Sequence, residues 1–245
     1  MTSAWQKVFD RHDILRTAFI YSGVQKPIQV VFDNVDVKID VYDWSQGDRD
    51  MTFSEWLVAD KAKGFVFSDP GLFRFSWFIL PNQEQRLVWT FQHILLDGWS
   101  LPLVLGEVMQ TYSDLLNGNP TPSGSVPQYQ NFIRWLSVQP KREAETYWRE
   151  YLTGFSAPNV FPQMKSISLQ ESTHAEWKES VLELDEATLQ SLNDIAHDQH
   201  LTLNTIVQGA WALLLSRYSR ENDVVFGTTV SGRPAELRDV EQTVG

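Results

Sequence analysis

One short segment, residues 91–100, combines a proton-exchanging side chain with the start of a helical pattern. An apolar strand runs into His93, Asp97 follows four positions later, and Gly98 comes directly after it. A histidine can exchange protons near neutral pH. A carboxylate at a helix start is favoured by free N–H groups and the helix dipole, and glycine adopts backbone conformations that other residues resist. The pattern fits proton transfer, and it equally fits an ordinary capped turn.

A second segment, residues 11–19, holds two arginines five positions apart, Arg11 and Arg16. It is read either as a solvated helix end or as the source of a guanidinium that forms a buried bidentate pair with a distant carboxylate. The sequence has no nucleophile elbow and no glycine-rich phosphate loop. Its remaining histidines lack the spacing of metal ligands, so we predict no metal. Without cysteine, thiolate catalysis and disulfides are excluded.

The composition is that of an acidic globular protein. The chain has 245 residues and a formal net charge of −11, which disfavours nucleic acid or an anionic membrane surface as the main partner. Apolar residues make up 42%, which excludes general disorder. No apolar run reaches the roughly 18 residues of a membrane span, and the N-terminus lacks the apolar stretch of a signal peptide. We therefore expect a cytoplasmic protein.

The elements that must position His93 are a β-hairpin and the helix after it. Strands are predicted over residues 72–80 and 85–92, both covered on two faces, and the helix begins close to Ser100. Irregular sequence over residues 154–172 marks a boundary between a subdomain at 1–160 and a second at 161–245. Further helices are predicted over residues 3–16, 51–63, 128–138, 142–152, 185–197 and 202–218. The helix over 202–218 has an apolar stripe that must be buried. Further strands are predicted over residues 27–32, 35–41, 175–184 and 223–230.

Five ordered motifs together resemble the condensation domains of nonribosomal peptide synthetases. Residues 92–98 match the family's H-H-x-x-x-D-G motif, and residues 11–19 match its R-H-x-x-L-R-T-x-F motif. The remaining matches are Tyr129, Phe132 and Trp135 for an aromatic motif, residues 147–154 around Trp148, and residues 226–234 with 241–245. The resemblance covers roughly the middle half of a full domain, so the family's first motif and its C-terminal part are expected outside the chain.

The resemblance implies a fold of the α/β (α+β) class. It predicts one chloramphenicol-acetyltransferase-like subdomain, carrying the histidine motif, and a truncated second one. In the family the two subdomains form a V with the active site in a tunnel between them. Two phosphopantetheine arms, from a donor and an acceptor peptidyl carrier protein, enter this tunnel, and an adenylation domain lies adjacent. No cofactor is expected to bind directly.

The resemblance also assigns roles to residues. His93 would accept a proton from the attacking amine or orient it, as the acceptor amine forms a peptide bond with the donor acyl group. Asp97 is expected to pair with Arg11 and fix the loop that aims His93, while Gly98 permits close backbone approach. Arg16 and Trp148 are supports at the site, although Trp148 also reads as simple core packing.

One departure from the family motif concerns its first histidine. Gln92 replaces it and keeps hydrogen bonding without charge, so we expect weakened support of the site. Alternative interpretations are a non-catalytic remnant or docking fragment and a free-standing acyltransferase of the same superfamily. Heterocyclisation domains, with an aspartate pattern, and epimerisation domains, which differ after the D-G, match less well.

Overall fold

The computed structural model describes residues 1–46, 51–155 and 180–245. These residues form two compact units, one of residues 1–139 together with 231–245 and the other of residues 140–230. The predicted subdomain boundary near residue 160 falls outside the described residues, so the division into 1–160 and 161–245 stays a prediction. Among the described residues, no helix has both the length and the apolar character needed to cross a membrane.

The first unit is a mixed α/β structure with two small sheets. Strands β1 (Thr17–Ile20) and β2 (Ile28–Val31) pair antiparallel. In the second sheet, β4 (Phe73–Ile79) lies between β3 (Ile39–Asp43), which is parallel to it, and β5 (Gln85–Phe91), which is antiparallel to it. The predicted hairpin and the helix start at Ser100 are confirmed. The elements of the first unit, in chain order, are α1 (Thr2–Arg11), β1 (Thr17–Ile20), β2 (Ile28–Val31), β3 (Ile39–Asp43), α2 (Phe53–Ala62), β4 (Phe73–Ile79), β5 (Gln85–Phe91), α3 (Ser100–Asn117) and α4 (Tyr129–Ser137).

An aromatic core holds α1 against the second sheet and anchors the loop after β5. Trp5 and Phe9 lie one helical turn apart on the buried face of α1. The centroids of the Trp5 and Phe75 rings are 4.4 Å apart. Leu95 and Leu96, from the loop after β5, are buried in the same cluster. Burial of each such side chain contributes about 1.5–3 kcal/mol. The loop that carries His93 is therefore fixed by its leucines.

Arg16 ties the end of α1 to the chain after β2. Its buried guanidinium donates hydrogen bonds to the carbonyl oxygens of Phe9 at 3.1 Å, Asp33 at 3.2 Å and also Phe32. It also pairs with the Asp13 carboxylate at 2.7 Å. Since a planar guanidinium can serve several acceptors at once, this arrangement suits arginine and not lysine. Arg16 therefore supports the scaffold of the first unit.

A buried carboxylate on α2 joins this helix to the second sheet. Asp60 accepts hydrogen bonds from Arg74 Nε at 3.0 Å and from Thr90 Oγ1 at 2.7 Å. Burial raises the pKa of Asp60, but the hydrogen bonds from Arg74 and Thr90 and the charges of Arg74 and Lys63 outweigh it, so the pKa is lowered. Asp60 is therefore ionised at neutral pH and stabilises the unit.

Asp60→Asn is expected to lower the free energy of unfolding at pH 7 by about 1–2 kcal/mol, because Arg74 loses its charged partner. The folded-state pKa of Asp60 lies below its unfolded value, so this stabilisation is present above pH ~4 and is lost as the pH falls further. Urea unfolding at pH 7 and at acid pH measures both effects. Asp36→Asn, at an exposed position, is the control. An equal effect of both variants would contradict the prediction.

The predicted strand over residues 35–41 is wrong in its first half. Val35 and Val37 are buried, as the alternating pattern indicated, but strand pairing begins only at Ile39. The side chain of Gln6 takes the place of a neighbouring strand. Its amide group donates to the Val35 carbonyl at 3.0 Å and accepts from the Val37 N–H at 2.8 Å.

The second unit consists of helices in the part of the chain that the structure describes. Its helices are α5 (Lys141–Tyr151), α6 (Glu186–Asp198) and α7 (Leu203–Ser219). The predicted start of α6 is confirmed, since Asp185 accepts a hydrogen bond from the Thr188 N–H at 2.7 Å. The structure assigns no strand within the described residues 180–184 and 223–230, and residues 175–179 lie outside the described part of the chain, so the strands predicted over 175–184 and 223–230 stay predictions.

Two predictions of burial are also wrong for the described residues. The apolar stripe of α7 is largely exposed, including Trp211 and Leu214, since no described segment covers it. Strand β5 forms an edge of its sheet and is not covered as a central strand would be.

Candidate functional site

The loop after β5 presents His93 at the surface. The Gln92 N–H continues the sheet by donating to the Leu72 carbonyl at 2.9 Å, and the Leu95 N–H closes a turn on the Gln92 carbonyl at 3.0 Å. The Gln92 side chain accepts a hydrogen bond from the His93 N–H at 2.9 Å. With the leucines after it buried, the exposed His93 side chain is held by a fixed backbone.

Asp97 fixes the start of α3. Its carboxylate accepts hydrogen bonds from the Ser100 N–H at 2.8 Å and the Ser100 hydroxyl at 2.6 Å. It also pairs with Arg233 Nη2 at 3.2 Å. Burial raises the pKa of Asp97, but the hydrogen bonds from Ser100 and the nearby guanidinium outweigh it, so the pKa is lowered. Asp97 is therefore a charged, structural member of the site.

The predicted pairing of Asp97 with Arg11 is wrong. Arg11 forms its ion pair with Glu107, which also lies 2.8 Å from Nε2 of the buried His12. Glu107 is seven residues beyond Ser100, and that corresponds to about 10 Å along a helix. Because the end of α1 packs against the middle of α3, Arg11 meets Glu107 and not the carboxylate at the helix start.

The partner of Asp97 is a residue that the sequence reasoning did not select. Arg233 is only 9% exposed, and its Nη1 donates to the carbonyl oxygens of Val240 and Thr243, each at 2.6 Å. Its guanidinium also lies 5.8 Å from the ring of Trp99. The available signal was that Arg233 lies within the matched motif at residues 226–234. Its side chain therefore helps to join residues 231–245 to the start of α3.

A cavity of about 220 Å³ lies at this junction, wholly within the first unit. It is smaller than the roughly 300–1,000 Å³ of pockets for whole small molecules. It therefore has room for a small reacting part of a substrate. Among its lining residues are His93, Asp97, Tyr129, Phe132, Arg233 and Val240.

The comparison with known families decides the classification of the chain. The family described as "Condensation domain" matches residues 1–245. The chain belongs to the condensation domain family. The resemblance predicted from the motifs is confirmed.

Curated relatives agree with this classification. The condensation domain is 39% identical to linear gramicidin synthase subunits C and B of Brevibacillus parabrevis, over 99% and 100% of its length. It is 34% identical to surfactin synthase subunit 3 of Bacillus subtilis over 97% of its length. It spans only 3%, 5% and 19% of those three proteins.

Solved structures share the fold. The X-domain from teicoplanin biosynthesis matches with a TM-score of 0.79 at 23% identity, over 100% of this chain and 54% of that one. The first condensation domain of the calcium-dependent antibiotic synthetase matches with a TM-score of 0.73 at 19% identity, over 100% of this chain and 58% of that one. The condensation domain thus spans about half of each. The predicted α/β, chloramphenicol-acetyltransferase-like fold class is confirmed.

The structure does not bring every predicted site residue to the cavity of this condensation domain. Trp148 lies in the second unit, where its exposed ring packs against those of Tyr147 and Tyr151. Arg11 and Arg16 belong to the scaffold described above. Gly98 has no left-handed φ, and a side chain there would meet nothing within 4 Å, so its conformation does not require glycine. Close backbone approach at Gly98 stays a prediction.

No metal centre is apparent in the described part of the condensation domain. Across residues 1–46, 51–155 and 180–245, no three His, Asp or Glu side chains gather in an arrangement that could hold a metal ion.

Proposed function

We propose that this condensation domain joins a donor acyl or peptidyl thioester to the amine of an acceptor aminoacyl thioester. The observation that carries the proposal is the His93 side chain, exposed at the cavity. Asp97 and Arg233 in the same cavity wall are bonded to each other and to their surroundings. Of these three side chains, His93 is thus the one that is left to act on a substrate.

The proposed reaction is aminolysis of a thioester. The amine nitrogen attacks the thioester carbonyl carbon, and the carbonyl π electrons move to oxygen to give a tetrahedral oxyanion. His93 takes the proton that the attacking nitrogen loses. The oxyanion collapses, the C–S bond breaks, and the departing sulfur receives that proton, so that an amide and a free thiol result. Holding both thioesters in place supplies much of the rate.

The substrates are proposed to arrive on phosphopantetheine arms of donor and acceptor peptidyl carrier proteins, next to an adenylation domain. The synthase subunits named above are far longer than this chain, which supports a multidomain setting. The setting we infer is cytoplasmic antibiotic or other secondary metabolite biosynthesis. A non-catalytic remnant and a free-standing acyltransferase are not favoured by these relatives.

Reconstituted amide formation tests the proposed function. The longest native polypeptide that carries this sequence is incubated with a donor and an acceptor carrier protein. These are loaded from a panel of proteinogenic amino acids, and dipeptidyl thioester is measured by mass spectrometry. We expect dipeptide on the acceptor carrier for at least one pair. Absence of dipeptide above the level given by carriers alone, for every pair, would overturn the proposal.

Gln92→Leu is expected to lower the rate of amide formation about fivefold. The leucine removes the acceptor for the His93 N–H, and one such hydrogen bond is worth about 1 kcal/mol. Gln92→Glu keeps an acceptor oxygen and is the control, with a smaller expected loss. Single-turnover rates measure the effect, and a Gln92→Leu variant as fast as the parent protein would show that this bond does not position His93.

A further inference from the structure

We infer that Tyr129 is a further catalytic residue, whose phenol donates a hydrogen bond to the oxyanion of the tetrahedral intermediate. This inference rests on the proposed function, because it concerns the same cavity and the same reaction. Tyr129 begins α4 and lines the cavity together with His93. Among the described residues, no hydrogen bond to the Tyr129 hydroxyl is found, so it is left to bind a substrate.

The charged groups of the cavity wall already have partners. Asp97 accepts from Ser100 and from Arg233. Both terminal nitrogens of Arg233 donate to Asp97 or to carbonyl oxygens, and its Nε, although it has no hydrogen-bond partner among the described residues, is buried out of reach of a substrate. Another neutral donor in the wall is the Ser231 hydroxyl, whose oxygen accepts weakly from the Arg233 N–H at 3.5 Å. The phenol of Tyr129 and the hydroxyl of Ser231 are therefore rival candidates for the oxyanion.

The ring of Tyr129 is held more firmly than the Ser231 side chain. The Tyr129 side chain lies directly beside Gly245, and its ring centroid lies 5.5 Å from that of Phe132. Ser231 is exposed. A donor that is fixed before the reaction stabilises developing charge without reorganisation, so the geometry favours Tyr129.

The backbone of Tyr129 is fixed by the residue before it. The Gln128 side chain accepts from the Asp13 N–H at 3.1 Å and donates to the Arg11 carbonyl at 3.1 Å. These two bonds tie the start of α4 to the turn after α1. Tyr129 is thus anchored through Arg11 and Asp13, which belong to the R-H-x-x-L-R-T-x-F segment at residues 11–19.

The surroundings keep the phenol protonated. Burial raises the pKa of Tyr129, the negative charge of Asp97 raises it further, and Arg233 opposes this only in part. A protonated phenol donates a hydrogen bond and does not act as a base. In the proposed step the phenol proton stays on Tyr129 throughout, while the proton lost by the amine passes through His93 to the thiol.

Tyr129→Phe, in the full native polypeptide, tests the inference. We expect kcat for amide formation to fall about tenfold with KM for both carriers unchanged, which corresponds to about 1.4 kcal/mol. Tyr112→Phe, at a partly buried tyrosine on α3 away from the cavity, is the matched control and should keep the parent rate. A Tyr129→Phe variant within twofold of the parent kcat overturns the inference, as does a loss seen only for Ser231→Ala.

A second measurement separates catalysis from a packing role. Fluorinated tyrosine at position 129 keeps the ring but lowers the phenol pKa. If the phenol must stay protonated, the alkaline limb of the kcat profile moves to lower pH; an unmoved limb overturns the inference. His93→Ala, run in parallel, keeps the two proposals apart. If His93→Ala is inactive and Tyr129→Phe is normal, only the inference fails. If the parent polypeptide forms no dipeptide, the proposed function fails, and a fully active His93→Ala removes only the role proposed for His93.

Discussion

Replacement of His93 by alanine is expected to lower the rate of amide formation about 100-fold or more while leaving the fold intact. Loss of a general acid–base group typically costs 10²–10⁴-fold in rate. The side chain is exposed and belongs to no core cluster, so its removal creates no buried void. Single-turnover formation of dipeptidyl thioester measures the first effect, and thermal unfolding measures the second.

The control for this experiment is His197→Ala, on the exposed surface of α6. It should match the parent protein in both rate and stability. If His93→Ala retains more than half of the parent rate, the histidine neither transfers a proton nor positions the amine. The loss should appear in kcat, because His93 is proposed to act on the reacting amine.

Arg233→Met is expected to lower the free energy of unfolding of the first unit by about 2–3 kcal/mol, and to reduce amide formation as well. The substitution leaves two carbonyl oxygens without a donor and leaves Asp97 without its cation. We expect a smaller loss of unfolding free energy than for a fully buried ion pair, because the Asp97 side chain is 36% exposed and solvent screens part of its charge. Urea unfolding at pH 7 measures the change.

Arg238→Met is the matched control, since that side chain is 93% exposed and lies five residues further along. The folded-state pKa of Asp97 is lowered, so the ion pair stabilises above pH ~4 and loses its effect as the pH falls. The difference between Arg233→Met and the parent protein should therefore shrink in acid. A double-mutant cycle with Asp97→Asn should give a coupling energy; strict additivity would show that Arg233 acts through its carbonyl contacts alone.

Local signals in the sequence predicted much of the scaffold correctly. The hairpin of β4 and β5 follows from two apolar runs around a short polar turn. The start of α3 at Ser100 follows from Pro102, which is tolerated only in a first turn. The cap at Asp185 follows in the same way. Each of these depends on neighbours within a few residues, which is the range that sequence patterns report.

Contacts between distant residues were less accessible. Both arginine candidates for a buried pair lay in the motif at residues 11–19, and nothing in local spacing separated Asp97 from Glu107 as a partner for Arg11. Gln6 illustrates the same limit, because an amide side chain that replaces a strand leaves the alternating burial of Val35 and Val37 unchanged. Alternation reports which side chains are buried and says nothing about what satisfies the backbone.

The pairing of Asp97 with Arg233 has a consequence for biosynthesis of the chain on the ribosome. The two residues are 136 positions apart, and residues 140–230 fold into a separate unit between them. At about 5–20 residues per second, translation needs on the order of 10 s to pass from one to the other. During that interval the nascent histidine loop exists without the cation that completes its surroundings, so the Asp97–Arg233 pair and the cavity beside it can assemble only late in translation.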